Sequence, residues 1–258
     1  TTVNWTTNLD KLHLPHNRKT EIYVSAVDSY LRIDSFLMNQ RAYKILLLSS
    51  WYPSRVHRTL GNFVERHAKA IALQHEVTVL FITSDPRTEK TEFEISQEWG
   101  MNVVRVYFRP GSFRPRDHYK AFNFGLNILQ EKGWDDIDLV HGNILYPSAM
   151  QAIQLERTRN IPFLYTEHWT GFHRKEGPGI GLAAKLMLKV AARKAKFISP
   201  VSSHLARSMQ DFGLTGTYHP IPNVVDTELF QPATKPDVFR FVHISSLVDS
   251  HKNISGML

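Results

Sequence analysis

Residues 44–50 read Lys-Ile-Leu-Leu-Leu-Ser-Ser, an apolar run that ends in small polar residues. Such a run is typical of a strand buried on both faces of a parallel sheet. After a turn comes Gly61-Asn62, and apolar or amphipathic residues then recur three and four positions apart as far as Leu73, which predicts an amphipathic helix. Residues 77–82, Val-Thr-Val-Leu-Phe-Ile, predict the next strand.

The same alternation continues along the chain as far as residue 212. Further strands are predicted over residues 103–108, 138–142, 161–166 and 196–200, and helices over residues 119–132, 147–159, 180–194 and 202–212. The charged segment 89–98 is interpreted as the connection that leads into the strand at 103–108. Alternating strands and helices imply right-handed crossovers, so the fold class is α/β with a Rossmann-like parallel sheet whose ligands bind at the carboxyl ends of the strands.

The chain also contains the beginning of a second domain. Residues 231–237 carry two prolines and predict a linker, and residues 239–245 then predict a new buried strand. We interpret residues 41–232 as an N-terminal domain with its interdomain bridge and residues 233–258 as the start of a truncated C-terminal domain. Residues 1–40 show no sustained period and are left as an unassigned extension. We expect both chain ends to be cuts, with Met38 as a hypothetical natural start.

The composition is that of a protein able to build a hydrophobic core. Hydrophobic residues make up 42% and charged residues 21% of the chain, and the formal net charge is +7, which excludes disorder of the whole chain. The absence of cysteine excludes a disulfide scaffold, a cysteine zinc site and a thiol nucleophile. No apolar run approaches the roughly 18 residues of a membrane-spanning helix and no secretory signal is visible, so a cytoplasmic location is expected.

Five segments follow one another in an order that resembles a known family. Residues 52–62 begin with Tyr-Pro and end with Gly-Asn; residues 166–168 read Thr-Glu-His, and residues 198–202 read Ile-Ser-Pro-Val-Ser. Residues 220–232 read Pro-Ile-Pro-Asn-Val-Val-Asp-Thr-Glu-Leu-Phe-Gln-Pro, and residues 245–253 read Ser-Ser-Leu-Val-Asp-Ser-His-Lys-Asn. In this order the segments resemble the glycine loop, the histidine loop, the last acceptor-domain strand, the interdomain bridge and the donor-domain loop of the GT-B glycosyltransferases of the family-4 type.

The resemblance covers about residues 44–258 and implies two Rossmann-like domains. It further implies a retaining, metal-independent transfer of sugar from a nucleotide-sugar donor to a glycan or lipid-linked acceptor, with no separate cofactor. The acidic motif that holds the donor in the family would lie beyond Leu258, so this chain alone is expected to be inactive. Two residues depart from the family pattern: Ser246 stands where members often carry arginine, and Leu60 stands where they often carry a first glycine.

The resemblance also assigns candidate site residues. Gly61, Asn62 and Lys252 are candidates for binding the donor phosphates, because N–H groups at a helix start and an ammonium group stabilise negative charge on a leaving diphosphate. His168 is the candidate catalytic residue. The candidates for the acceptor-side cleft are Tyr52, Arg55 and Glu167.

Each assignment has a structural alternative. A glycine before a helix commonly serves as a turn residue, a histidine at a strand end commonly makes a structural hydrogen bond, and Lys252 could be a solvated loop lysine. The histidines at positions 141, 168 and 173 lack both helical spacing and cysteine partners, so no metal site is predicted.

Two other functions share this architecture. One is a nucleotide-sugar 2-epimerase and the other is a binding module without turnover, since a fold alone does not assign chemistry. Two glutamates eight positions apart, ahead of a helix, in the sequence that follows residue 258 would favour the transferase.

Basic and aromatic residues alternate between positions 105 and 120. The set comprises Arg105, Tyr107, Phe108, Arg109, Phe113, Arg114, Arg116, Tyr119 and Lys120. Such a patch is suited to an anionic membrane surface, to nucleic acid or to plain solvation. No nucleic-acid-binding motif accompanies it, so we favour peripheral membrane contact or solvation and predict no nucleic-acid partner.

Overall fold

The computed structural model describes residues 42–173 and 179–232, together with residues 238, 241–245, 249 and 253–257. The chain divides into two compact units, residues 1–224 and residues 225–258. The boundary falls inside the segment 220–232 that resembles an interdomain bridge. The interpretation of the second unit as the start of a donor domain stays a prediction.

Within the described residues, the first unit contains a seven-stranded sheet. Its strands are β1 (Lys44–Ser49), β2 (Glu76–Ser84), β3 (Glu92–Glu98), β4 (Met101–Phe108), β5 (Leu139–Asn143), β6 (Phe163–Glu167) and β7 (Ile198–Pro200). They lie in the order β3-β4-β2-β1-β5-β6-β7. All neighbouring pairs are parallel except β3 with β4. The predicted α/β fold with a Rossmann-like, mostly parallel sheet is therefore confirmed for the first unit.

Helices alternate with these strands as predicted. Those in the described part of the chain are α1 (Asn62–Ala72), α2 (Arg114–Glu131), α3 (Leu145–Arg159), α4 (Leu182–Lys194) and α5 (Ser203–Asp211), with a 3-10 turn over Thr170–His173. Helix α2 begins five residues earlier than the predicted start at residue 119, because Pro115 fits the first turn of a helix. Helix α5 is capped by Ser202, whose hydroxyl accepts a hydrogen bond from the Leu205 N–H at 3.1 Å.

The core lies on both faces of the sheet. In β1, Leu46 and Leu48 pack with residues of α2 and α3 on one face, while Ile45 and Leu47 pack with residues of α1 on the other. Burial of alternate residues on opposite faces explains why β1 is apolar throughout.

Strand β3 was missed by the sequence analysis, which interpreted residues 89–98 as a charged connection. The segment pairs antiparallel with β4 at the edge of the sheet. Its carboxylates are paired with arginines: Glu92 lies 2.7 Å from Arg55, and Glu98 lies 2.8 Å from Arg105. Charged side chains are typical of edge strands, because they discourage pairing with another chain. The charge that suggested a loop is therefore a property of an edge strand.

One close approach in the sheet depends on a glycine. Gly142 of β5 pairs with Tyr165 of β6, and a Cβ atom at residue 142 would lie 2.1 Å from the Tyr165 ring. The ring of Tyr165, which is fully buried, fills the space that a side chain on β5 would need.

The prediction of a buried strand at residues 239–245 is wrong for the part that the structure describes. Residues 241–245 form no strand, and the side chains of Phe241 and Ile244 are more than 90% exposed. A strand requires a neighbour that pairs with its N–H and C=O groups. The described residues of the second unit contain no such neighbour.

Candidate functional site

The sheet has a topological switch point at the carboxyl ends of β1 and β5. The chain leaves these neighbouring strands in opposite directions, toward β2 on one side and toward β6 on the other. Ligands of open α/β sheets bind at such a switch point. The two loops are joined there: the Ser50 N–H donates to the Asn143 carbonyl oxygen at 3.2 Å, and the Ser50 hydroxyl donates to the Ile144 carbonyl oxygen at 3.0 Å.

The start of α1 lies beside the loop that follows β1, next to this switch point. Gly61 has a φ of +77°, and a Cβ atom there would lie 2.4 Å from the carbonyl carbon of Trp51. Glycine is therefore required for the helix to pack against the loop that follows β1. The N–H of Asn62 donates to the Thr59 carbonyl oxygen at 3.4 Å, and its side chain is exposed. Gly61 thus has a structural role, and phosphate binding by Gly61 and Asn62 stays a prediction.

His168 follows β6 directly and is held mainly by aromatic contacts. Its ring centroid lies 4.5 Å from that of Phe63 on α1, and its Nε2 lies 3.4 Å from Asn143 Oδ1. Burial lowers the pKa of His168 to about 2, so the ring is neutral at physiological pH. His168 thus lies directly after a strand, as the sequence predicted, and next to α1.

Two further histidines lie next to it. His67 of α1 is fully buried, with its ring centroid 5.2 Å from that of His168. His141 of β5 is also buried, and its Nε2 lies 2.8 Å from the hydroxyl oxygen of Thr166. Burial lowers the pKa of His67 to about 4 and that of His141 to about 3. Helix α1, strand β5 and the residue after β6 therefore each contribute a neutral imidazole to this region.

Sequence reasoning missed His67 and Asn143 as members of this site. Asn143 is fully buried, and its Nδ2 has no hydrogen-bond partner among the described residues. A buried polar group without a partner is uncommon and often marks a functional position. The available signals were a polar residue at the end of an apolar strand and a histidine on the apolar face of a helix.

Glu167 does not fit its predicted place in an acceptor-side cleft. Its side chain is fully buried. One carboxylate oxygen accepts hydrogen bonds from the N–H groups of His168 and Trp169, and the other accepts from the N–H of Leu145. Burial raises the pKa of Glu167 to about 7. Glu167 therefore joins the loops after β5 and β6, and a direct contact with an acceptor is not consistent with its burial.

The other two acceptor-side candidates differ from each other. Tyr52 is fully buried in the core beside α1, which corrects the expectation that it lines a cleft. Arg55 lines an open groove of about 550 Å³ between the loop after β1 and strand β3. Its guanidinium already pairs with Asp85 at 3.1 Å and with Glu92 at 2.7 Å. An acceptor would therefore meet an arginine whose charge is largely compensated.

The remaining candidates can be placed only in part. Lys252 and Ser246 lie outside the described residues. In the basic and aromatic set, Arg105, Tyr107 and Phe108 are buried, so their assignment to a surface patch is wrong. Their strand, β4, lies inside the sheet between β3 and β2. The exposed members are Arg109, Phe113, Arg114, Arg116, Tyr119 and Lys120.

Neither a metal cluster nor a membrane span is found in the described part of the chain. There, no three histidine, aspartate or glutamate side chains converge as they would around an ion, and no helix is both long and apolar enough to cross a bilayer. The expectation that no metal takes part stays a prediction.

A mostly parallel α/β sheet with a switch point between β1 and β5 defines a protein with a Rossmann-like domain. The family model of Glycosyltransferase Family 4 matches residues 60–229, which is more than half of the chain. The chain belongs to this family, as its sequence landmarks predicted. A comparison with curated proteins finds no match.

Solved structures with a similar fold are distant in sequence. A sucrose-phosphate synthase from Thermosynechococcus elongatus is 17% identical with a TM-score of 0.47, and the alignment covers 70% of this chain and 90% of that one. An E. coli trehalose-6-phosphate protein bound with UDP-2-fluoro glucose is 12% identical with a TM-score of 0.41, covering 65% of this chain and 42% of that one. A UDP-forming α,α-trehalose-phosphate synthase from Burkholderia xenovorans is 11% identical with a TM-score of 0.41, covering 66% and 42%. This chain thus spans less than half the length of the latter two.

Proposed function

We propose that this chain is the acceptor-side part of a retaining glycosyltransferase that moves a sugar from a nucleotide-sugar donor to a glycan or lipid-linked acceptor without a metal ion. The observation that carries the proposal is the family match over residues 60–229, which includes α1 and the loop that carries His168. Both elements lie at the switch point of the sheet, where ligands of open α/β sheets bind, and this supports a reaction centre there.

The reaction exchanges one bond of the anomeric carbon for another. The bond from that carbon to the diphosphate oxygen breaks, and a bond to the acceptor hydroxyl oxygen forms on the same face of the sugar. Negative charge then develops on the diphosphate, and fixed N–H donors and a cation stabilise it without reorganisation. In the proposal, Gly61 and Asn62 supply the N–H groups and Lys252 supplies the cation.

His168 is not suited to remove the acceptor proton. A general base is most effective when its pKa lies near the working pH, and burial lowers the pKa of His168 to about 2. Glu167 has a pKa of about 7 but is fully buried and occupied by backbone N–H groups. We therefore propose that His168 orients the substrates by hydrogen bonding and that the acceptor proton passes to the departing diphosphate.

Sugar transfer by the gene product that contains this chain tests the proposal. Lys252→Ala should lower kcat/KM at least tenfold, which corresponds to about 1.4 kcal/mol of lost transition-state stabilisation. His168→Ala should also slow transfer and leave the far-UV circular dichroism spectrum unchanged. The measurement is product formation over a panel of nucleotide sugars, with Lys90→Ala and His57→Ala, at exposed positions, as controls.

The same assay separates the competing functions. Unchanged kinetics in Lys252→Ala would remove this lysine from the site, and a folding defect in His168→Ala would support a structural role. Conversion of the nucleotide sugar to its 2-epimer in the absence of an acceptor would favour the epimerase. Donor binding without any product would favour a binding module.

We further propose that the protein works at the cytoplasmic face of a membrane. The loop after β4 and the first turns of α2 carry four exposed cationic side chains next to exposed Phe113 and Tyr119, which are 65% and 49% exposed. Cations near anionic lipids contribute about 1 kcal/mol each, and aromatic rings suit the headgroup region. A lipid-linked acceptor would bring the enzyme to the same surface.

Vesicle binding tests the membrane proposal. The triple variant Arg114→Ala/Arg116→Ala/Lys120→Ala should bind vesicles of anionic phospholipid at least tenfold more weakly than the parent protein, because it loses three of the exposed charges. Lys90→Ala/Lys132→Ala/Arg193→Ala removes the same charge from exposed positions outside the patch and should keep the parent affinity. Equal losses in both variants, in co-sedimentation with such vesicles, would indicate solvated charges and no docking patch.

A further inference from the structure

His67 is a core residue of helix α1 that also forms a hydrogen bond to a segment distant in sequence. It lies on the buried face of α1 and is fully buried. Its Nε2 lies 3.1 Å from Oδ1 of Asn223, a residue 156 positions further along the chain. Because burial keeps the ring neutral, the Nε2–H tautomer can donate to this amide oxygen.

Asn223 lies at the end of the first compact unit. The preceding segment is fixed, since Ile221 is buried and its N–H donates to the Pro200 carbonyl oxygen at 3.0 Å. Asn223 itself is exposed, and the unit ends one residue later at Val224. The bond to His67 therefore holds an exposed residue to the helix at the point where the chain leaves the unit.

The same imidazole also sets the surroundings of His168. The two rings meet edge to face, with an interplanar angle of 86° and centroids 5.2 Å apart. Phe63, one helical turn before His67 on α1, contacts the His168 ring as well. Two rings of α1 thus pack against the His168 ring, whose Nε2 also lies 3.4 Å from Asn143 Oδ1.

We propose that His67 is a positioning residue that connects the candidate catalytic histidine with the start of the interdomain bridge. Its ring contacts and orients His168, while the ring N–H holds Asn223 and so fixes the last residues of the first unit. The connection to catalysis rests on the proposed function, whereas the anchoring of residue 223 does not. A displacement of α1 would then move Asn223 and His168 together.

Three variants separate the two contacts. His67→Leu removes both the N–H donor and the ring, His67→Gln keeps an N–H donor but removes the ring, and Asn223→Ala removes the acceptor at an exposed position without touching the core. Val64→Ala, which truncates another fully buried side chain of α1, is the control for loss of stability alone.

Hydrogen exchange on the 258-residue chain measures directly how firmly residue 223 is held, and it needs no substrate. Deuterium uptake by peptides that span residues 219–225 should be at least fivefold faster in His67→Leu and in Asn223→Ala than in the parent chain. His67→Gln should stay within twofold of the parent, and Val64→Ala should not accelerate this segment selectively.

The His168 ring provides the second readout. Nitrogen and ring-proton chemical shifts of labelled histidine report the surroundings of the ring, and they should change in His67→Leu and His67→Gln and stay unchanged in Val64→Ala. Unchanged uptake in Asn223→Ala would overturn the anchoring even if His67→Leu failed to fold. Unchanged His168 shifts in His67→Gln would overturn the orienting role, and neither result depends on whether the protein transfers sugar.

Discussion

Gly61→Ala should lower the free energy of unfolding by about 3 kcal/mol or more. A left-handed backbone costs a residue with a Cβ atom about 1–2 kcal/mol, and Gly61 has a φ of +77°. The added methyl group would also lie 2.4 Å from both the carbonyl carbon and the carbonyl oxygen of Trp51. These are backbone atoms that cannot rotate away, and overpacking of this kind adds roughly 1–3 kcal/mol.

Gly133→Ala provides the matched control. Gly133 has a similar φ of +69°, but a Cβ atom there would meet nothing within 4 Å. It should therefore cost only the left-handed backbone contribution, about 1–2 kcal/mol. Urea unfolding followed by circular dichroism measures both variants. An equal cost at the two positions would show that the loop after β1 does not pack against the start of α1 as closely as described.

Acidification from pH 7 to pH 5 should destabilise the first unit strongly. Burial lowers the pKa of His67 and His118 to about 4, of His141 to about 3 and of His168 to about 2, from an ordinary value of 6.5. Below pH 6.5 the unfolded chain therefore binds protons that the folded chain does not, so stability falls as the pH falls. Each such proton contributes about 1.4 kcal/mol per pH unit.

Glu167 has the opposite effect on the pH dependence of stability. Its pKa is raised to about 7 in the folded state, so it contributes stability below about pH 4.5 that is lost as the pH rises toward 7. Because four histidines oppose one carboxyl group, the free energy of unfolding should fall by on the order of 5 kcal/mol between pH 7 and pH 5.

A histidine variant checks the source of the pH dependence. His141→Gln should reduce the slope of unfolding free energy against pH by about one proton equivalent, because it removes one buried imidazole. His57→Gln, at an exposed position, should leave the slope unchanged. The measurement is urea unfolding at half-unit intervals from pH 5 to pH 8. Stability that is flat or that rises on acidification would contradict the described burial of these histidines.

The parallel part of the sheet could be predicted because its strands are apolar on both faces. Residues 44–49 and 76–84 are mostly apolar, so their composition alone indicates that they are buried. The helix between them has a clear apolar face. Strand β3 could not be recognised in this way, because its stability comes from pairing with β4 and from arginines that are distant in sequence. The strand predicted at residues 239–245 is not formed by the described residues 241–245, since an apolar run alone does not provide a neighbouring strand.

The candidate site was predictable only where it coincides with a strand end or a helix start. The sequence indicated His168 and Gly61 in this way, and their roles in the site stay predictions. Tyr52 and Glu167 were placed in a cleft because they neighbour loop motifs, but side-chain burial depends on packing that a local pattern does not contain. His67 and Asn223 are joined across 156 positions, and no short segment of the sequence records that contact.

The close packing of Tyr165 on Gly142 has an evolutionary consequence. A larger residue at position 142 would need the space that the aromatic ring now occupies, and loss of the ring would leave a void against β5. A substitution at either position therefore requires a compensating substitution at the other. Homologues in which position 142 carries a side chain should have a smaller residue at position 165, so that the two sites covary across the family.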